Sequence, residues 1–329
     1  MKLREIGKYL NEIQDGGRIC IVTDSNVVPL YLKPCRDSLE SAGYEVYEYI
    51  LPAGEASKNA ENYLKLLEYL VSVSMTRSDG IVALGGGMVG DLAGFAAATY
   101  MRGIPVYQVP TTLLAAVDSS VGGKTAIDLP AGKNLVGAFH QPKLVLQDSS
   151  LLDTLPLEIY REGMAEVIKY GMIESPSLFE ALKDPAKTKE NLQDVIATCV
   201  NIKKKYVEED ERDIGIRHKL NFGHTLGHAM EILSDYNLSH GDAVAKGMYW
   251  MTQIAVTEGW CEPRVLEELE TILIAYGFDL TLDYNRDEIY RVLCSDKKRT
   301  GNRIRIVTPD EVGQCRIRTM ELEEVKVLL

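Results

Sequence analysis

The first 150 residues alternate short β-branched runs with helix-like stretches, an order that restricts this part of the chain to an α/β fold with a mostly parallel sheet. The runs are RICIVTD (18–24), YEVYEYI (44–50), IVALGG (81–86) and PVYQVP (105–110), separated by helical patterns to about Gly43, near 57–74 and near 91–101. A further run, KLVLQD (143–148), closes this half, and SSLLDTLP after it reads as a connection. From about Leu157 the patterns are long and helical, over 158–173, 177–183, 190–208, 222–233, 242–258 and 263–276. At 329 residues the chain exceeds what one core usually serves. The expectation is an α/β domain over 1–150 followed by an all-α domain over 151–329.

A net charge of −12 argues against binding of nucleic acid, which needs clustered Lys and Arg on one face. Basic residues gathered in a pocket must then have a local purpose. The six cysteines form no CxxC pair, so neither a zinc ribbon nor a disulfide framework is signalled. The N-terminal MKLREIGKYLNEI is charged throughout, and no stretch approaches the ~18–20 apolar residues of a membrane span. A cytoplasmic protein with no membrane partner is expected.

The run GGGMVGD (85–91) fits GxGxxG through Gly85, Gly87 and Gly90, where missing side chains let backbone N–H groups approach a pyrophosphate at a helix N-terminus. A tight turn explains the same glycines. The usual dinucleotide fold adds an acid about twenty residues on, but that position is Pro110 in an acid-free strand, so the ordinary layout is excluded. Asp24, ending the first strand, could hold a ribose from the strand's carboxyl end, or could simply form a turn. Glu55 and Lys58 in PAGEASK fall on one side, as site residues or as solvated loop charges. The passage TTLLAAVDSSVGGKTAIDLPAGKN (111–134) reads as a long binding loop with Asp118, Ser119, Lys124, Lys133 and Asn134. Lys124 and Lys133 offer ammonium groups to anionic oxygens, and VGGKT is half of a P-loop. The plain alternative is a surface loop.

Three of the five histidines, His224, His228 and His240, fall within seventeen residues, a density that suits a divalent metal. His224 and His228 stand at i and i+4, which puts both imidazoles on one helical face and favours them as a metal pair. On REGMAEVIKYGMI, Glu162 and Glu166 lie four apart with Lys169 one turn beyond Glu166. Two histidines and one carboxylate with an open position make a catalytic zinc arrangement. Exposed acids and core histidines are the bland alternatives.

With these residues assembled, the chain resembles the 3-dehydroquinate synthases of the sugar-phosphate cyclase group. The resemblance runs from about Ile21 to about Arg299 through GGGMVGDLAGFAAATYMRG, VPTTLLAAVDSSVGGKTAIDLPAGKN, GMAEVIKYG, NFGHTLGHA and SHGDAVAKGM. It implies a nucleotide-binding α/β domain, a helical metal- and substrate-binding domain, NAD as cofactor, one Zn2+ or Co2+, and a homodimer. The implied metal ligands are Glu166, His224 and His240, which leaves His228 a hydrogen-bonding or proton-transfer place near the substrate. NAD would be held by Asp24, Asn26, Glu55, Lys58, Gly86, Gly87, Met88, Val89, Gly90, Asp91, Thr111, Thr112, Asp118, Ser119, Lys124, Lys133, Thr154 and Leu155. The anionic sugar phosphate would meet Arg102 from the partner subunit, Asp118, Lys124, Lys133, Asn134, Lys169, Lys203, Arg217, Asn221, and Lys298 or its neighbour Lys297.

The implied reaction turns 3-deoxy-D-arabino-heptulosonate 7-phosphate into 3-dehydroquinate and phosphate, in the shikimate pathway. Transient oxidation, phosphate elimination, re-reduction and an intramolecular aldol closure follow one another, with the metal as Lewis acid. Two features depart from the family's pattern. The chain starts close to the first nucleotide-binding strand, so a different sheet edge or dimer contact is expected, and GDAVA replaces the usual GEAVA, a neutral acid swap. The rival readings are a related cyclase such as 2-deoxy-scyllo-inosose synthase, a metal-dependent glycerol dehydrogenase and a non-catalytic sensor. SSVGGKTAI (119–127) disfavours the first, and Lys124, Lys133, Lys169 and Arg217 together disfavour the second. The complete ligand set disfavours the third.

Overall fold

A computed structural model describes residues 1–294 and 301–329, which divide into two compact units, Met1–Leu155 and Pro156–Leu329. The first unit holds strands β1 (Arg18–Asp24), β2 (Glu45–Leu51), β3 (Gly80–Gly85), β4 (Val106–Pro110), β5 (Lys124–Leu129), β6 (Gly132–Phe139) and β7 (Leu144–Val145). Its helices are α1 (Ile6–Asn11), α2 (Lys33–Ser41), α3 (Ala60–Ser72) and α4 (Gly87–Thr99). Five strands form a parallel sheet in the order β2-β1-β3-β4-β7.

β1, β3 and β4 read as near-continuous apolar runs because both sheet faces are covered. With a side-chain period of two, Ile19 and Ile21 point into one apolar cluster with Ile6, Leu10, Cys35 and Leu39 of α1 and α2. Cys20 and Val22 point into the other, with Leu66, Leu70, Leu92 and Phe95 of α3 and α4. The chain passes from β1 outward to β2 and returns to β3 on β1's other side, creating a switch point where the carboxyl ends of β1 and β3 lie together, Thr23 opposite Leu84.

Two expectations need correcting here. Residues 111–134 are no structureless loop: a helical turn at Ala115–Ser119 leads into the antiparallel β5–β6 hairpin, which packs on α4. Gly94 permits that packing, since a Cβ there would lie 2.5 Å from Cγ2 of Thr125. The α4 helix also begins at Gly87, inside the glycine run instead of after it.

The second unit contains α5 (Leu157–Glu174), α6 (Pro176–Ala181), α7 (Pro185–Glu190), α8 (Leu192–Glu209), α9 (His224–Leu233), α10 (His240–Thr257), α11 (Pro263–Ala275), α12 (Arg286–Leu293) and α13 (Leu322–Leu328). It is mainly helical, as expected, with one addition to the all-α reading. Strands β8 (Arg303–Glu311) and β9 (Gln314–Glu321) form an antiparallel hairpin beside α5 and α10. The alternation in RIRIV buries Ile304 and Ile306 while Arg303 faces outward, the period-two signature that a helix-only reading passes over. No helix among the described residues is long and apolar enough to cross a membrane.

Candidate metal centre and nucleotide cradle

Glycines let α5, α9 and α10 approach backbone to backbone. A Cβ on Gly227 would lie 2.8 Å from the Ala243 carbonyl oxygen, one on Gly247 2.0 Å from that of Gly223, and one on Gly241 2.4 Å from Cα of Glu162. Gly223, at φ 80°, turns the chain into α9 so that His224 opens that helix. His240 opens α10, capped by Ser239, whose Oγ accepts the Asp242 N–H at 3.2 Å. The unusual Asp242 has work of its own: its Oδ2 accepts from Arg161 on α5 at 3.1 Å and from Ser239 Oγ at 2.8 Å.

These contacts bring three distant residues together. Oε1 of Glu166 lies 3.3 Å from Nε2 of His224 and 3.3 Å from Nε2 of His240. One ligand atom from each residue falls within 4.8 Å of the others. Glu166 is buried, and its Oε2 pairs with Lys169 Nζ. Burial pushes the Glu166 carboxyl up, but Lys169 and His224 outweigh it and hold it well below the usual range. His224 is lowered by its burial, which exceeds the pull of Glu166. Its Nδ1 donates to the Phe222 carbonyl at 3.2 Å, leaving the Nε2 lone pair facing Glu166. Burial would lower His240 too, yet hydrogen bonds that its ring donates to Glu166 and Glu231 raise it to about 10. An ionised carboxylate and two imidazoles converging through Nε2 fit a four-coordinate Zn2+ or Co2+ with one position left open.

The expectation from HxxxH spacing is corrected by this geometry. Among the described residues, two groups could hold a metal, Glu166 with His224 and His240, and His228 with Glu231 and His240; neither contains both His224 and His228. His228 is 39% exposed, with its ring centroid 5.4 Å from that of His224. Gly241→Ala should push α10 away from α5 and spread His240 from Glu166. Overpacking of about 1–3 kcal/mol corresponds to metal affinity weakened roughly 5- to 150-fold, read by chelator competition; an unchanged affinity would contradict the close-approach argument.

Four Lys or Arg side chains are buried among the described residues of this unit, and Lys246 on α10 is held by Asp279 at 2.9 Å. Lys169 on α5, Lys203 on α8 and Arg217 in a 3-10 turn at Ile216–Asn221 sit on elements that pack on one another. Arg217 Nη1 donates to the Glu211 carbonyl at 2.7 Å, and Asn221 Nδ2 to that of His218 at 3.2 Å. Lys169 already meets Glu166, and a group of buried cations in an acidic chain suits an anionic ligand. Lys297 and Lys298 lie outside the described residues.

In the first unit, the sheet's switch point gathers the nucleotide candidates. Asp24, buried at the end of β1, accepts the N–H groups of Asn26 (2.8 Å) and Val27 (3.2 Å), so its turn-forming role is realised. Gly90 makes the first intrahelical bond of α4, to Gly86 O at 3.0 Å, which leaves the amides of Gly87, Met88 and Val89 as an anion cradle. A Cβ on Gly86 would stand 3.0 Å from Thr112 Cγ2, and one on Gly87 3.1 Å from Ser119 Oγ, so these two side chains wall the cradle. Thr111 donates its N–H to Gly85 O at 2.9 Å, and Asp118 shares the helical turn of Ser119. Packing explains the other glycine, since a Cβ on Gly85 would meet Val89 at 2.7 Å.

Lys58 is no solvated loop charge, whereas Glu55 is exposed and pairs with it. Buried Lys58 contacts Glu55 (2.7 Å), Asp91 (3.2 Å), Asp128 (3.9 Å) and the Asn134 side-chain oxygen (2.9 Å). Asp128, not among the residues singled out in the 111–134 passage, also accepts the Asn134 N–H at 2.7 Å, holding that residue at φ 55°. Lys124 and Lys133 lie on β5 and β6, the first exposed and the second half-buried. Thr154 Oγ1 meets the Tyr31 hydroxyl at 2.7 Å, and Leu155 donates its N–H to Leu152. Asn26 is exposed, as is Arg102, whose φ of 68° follows Met101 at 48°, a left-handed pair that non-glycine residues adopt at a cost.

Burial raises the Asp91 carboxyl to about 6 despite Lys58 beside it. A carboxyl whose folded value exceeds its unfolded one stabilises below about pH 4 and loses that contribution as pH rises through 6. Between pH 4 and 7, Asp91→Asn should therefore gain about 2–3 kcal/mol relative to wild type in urea unfolding; a pH-independent difference would contradict the burial argument.

The 3-dehydroquinate synthase N-terminal family model matches residues 48–162, and the 3-dehydroquinate synthase C-terminal family model matches residues 163–299. The chain is 44% identical over 335 aligned positions to the 3-dehydroquinate synthase of Streptococcus sanguinis (strain SK36), covering 99% of this chain and 94% of that protein. Among solved structures it is similar to 2-deoxy-scyllo-inosose synthase complexed with carbaglucose-6-phosphate, NAD+ and Co2+, at TM-score 0.88 and 26% identity, covering 99% of this chain and 93% of the other. The fold is also that of the 2-epi-5-epi-valiolone synthase ValA from Streptomyces hygroscopicus subsp. jinggangensis 5008 with NAD+ and Zn2+ bound, at TM-score 0.89 and 23% identity, covering 97% and 91%.

Proposed function

The chain belongs to the 3-dehydroquinate synthase family, and from that premise we propose that it converts 3-deoxy-D-arabino-heptulosonate 7-phosphate to 3-dehydroquinate and phosphate, as a phosphate-eliminating carbon–oxygen lyase of the shikimate pathway. The observation that carries this reading is the convergence of Glu166, His224 and His240 in the region matched by the family's C-terminal model. The 44% identity to a 3-dehydroquinate synthase, against 26% to an inosose synthase, disfavours the related-cyclase alternative.

Glu166, His224 and His240 hold the divalent metal, and the cradle at Gly86–Val89 with Asp24, Thr112 and Ser119 holds NAD. When bound, the metal supplies a Lewis acid for the reacting alcohol and NAD a hydride acceptor. Lys169 keeps Glu166 ionised, and the Phe222 carbonyl keeps His224 in the ligating tautomer. Lys203, Arg217 and Asn221 bind the anionic substrate and stabilise the charge that develops as phosphate leaves, and Lys124, Lys133 and Asn134 are the anion-binding candidates of the first unit. His228, half in solvent, exchanges protons with the substrate's hydroxyl groups. Arg102 completes the site from a second subunit of a homodimer. Six cysteines without a disulfide fit a reducing, cytoplasmic setting.

Oxidation and re-reduction within one turnover leave no net NADH. Protein supplied with the heptulosonate phosphate, NAD and zinc is therefore expected to release phosphate with no accumulation of NADH. Steady NADH production would overturn the reading in favour of a dehydrogenase.

A further inference from the structure

Glu231 is a buried carboxylate that no sequence motif explains. It stands on α9 seven residues beyond His224 and is 5% exposed. Its Oε1 lies 3.5 Å from Nδ1 of His240, and its Oε2 lies 4.0 Å from Nε2 of His228. The backbone there is anchored: the Glu231 carbonyl accepts from Ser234 Oγ at 2.9 Å and from the Tyr236 N–H at 2.8 Å. A carboxylate withdrawn from water this far needs a compensating donor, and the His240 ring presents one.

His240 lies between two carboxylates, with Nε2 toward Glu166 and Nδ1 toward Glu231. A neutral imidazole carries its proton on one nitrogen only. If that proton is on Nε2, the ring donates to Glu166 and closes the metal position. If it is on Nδ1, the ring donates to Glu231 and offers its Nε2 lone pair to the ion. From this geometry we infer that Glu231 is the positioning residue that fixes the metal-ready tautomer and orientation of His240. For His224, the Phe222 carbonyl fills the corresponding place. The two imidazole ligands are thus held differently, one by a neutral dipole and one by a full charge.

The charge also adds affinity. The carboxylate beside Nδ1 attracts a cation held at Nε2 of the same ring. Removing Glu231 should therefore weaken metal binding. The alternative use of the residue, a second metal site made with His228, would require His240 to ligate through both nitrogens as an imidazolate.

This inference rests on the metal reading of Glu166, His224 and His240, and one titration separates the two. Wild type, Glu231→Ala and Glu231→Gln are titrated with Co2+ against a chromophoric chelator, with metal-free thermal unfolding measured in parallel. Wild type should bind one equivalent; no binding would sink the metal reading itself. Glu231→Ala should raise the dissociation constant 10- to 100-fold, and Glu231→Gln, which still accepts from Nδ1, should fall between. The Co2+ absorption bands should shift in both variants while metal-free melting stays near wild type. Unchanged affinity in Glu231→Ala, a second tight equivalent in wild type, or a fall in metal-free stability with affinity preserved would each overturn the assignment. If Glu231→Ala does not fold, the affinity and bands of Glu231→Gln decide alone.

Discussion

Glu166→Gln will purify as a folded protein without stoichiometric metal, and its phosphate release will be slower than wild type by on the order of 10³-fold or more, because the Lewis acid contributes several kcal/mol to the reaction. Glutamine conserves the volume of a side chain that is 1% exposed, so packing is retained. What disappears is the charge opposing Lys169 and the one anionic ligand of the three. Alanine at the same position would also remove the side-chain oxygen that glutamine still offers to the buried Lys169 ammonium and would leave a cavity, costing about 3–5 kcal/mol and confusing misfolding with metal loss. Metal content by elemental analysis separates the two effects. A Glu166→Gln protein carrying one equivalent of metal would contradict the ligand assignment.

Gly247→Ala is expected to be the most damaging single methyl group in the second unit. The added carbon would lie 2.0 Å from the Gly223 carbonyl oxygen, where ordinary contact begins at 3.4 Å. Both partners are backbone, so no rotamer can relieve the clash and α9 must move off α10 by more than an ångström. Overpacking of this kind costs about 3 kcal/mol, which lowers the melting temperature by roughly 6–12 °C for a unit of this size. The movement also parts His224, at the start of α9, from His240, at the start of α10, so metal binding should fall together with metal-free stability. A variant that melts like wild type would show that the two helices do not rely on this contact.

The parallel sheet could be read from sequence because short β-branched runs alternate with helical patterns, whereas the switch point depends on the strand order β2-β1-β3, which no local run reveals. Tertiary effects hid the rest. His224 and His228 share one helical face, which sequence spacing makes visible, whereas His240 and Glu166 reach the site only through helix contacts made possible by Gly223, Gly227, Gly241 and Gly247. Those glycines sit inside the motifs that drew attention to the histidines, yet their role depends on a neighbour's backbone. Asp128 lies in the 111–134 motif without being singled out and Glu231 lies in none, and only their distances to Asn134 and His240 give them meaning. The β8–β9 hairpin did leave a signal, the alternation of arginine with isoleucine, obscured by the helical patterns before it.

The central claim is that one carboxylate and two imidazoles, from three helices, hold a single divalent ion. X-ray absorption on the zinc-loaded protein tests it most directly. Fits should give only oxygen and nitrogen neighbours at about 2.0–2.1 Å, with the outer-shell scattering of two imidazoles, and the imidazole count should fall in His240→Ala but not in His228→Ala. Sulfur at about 2.3 Å, or an imidazole lost from His228→Ala and retained in His240→Ala, would contradict it.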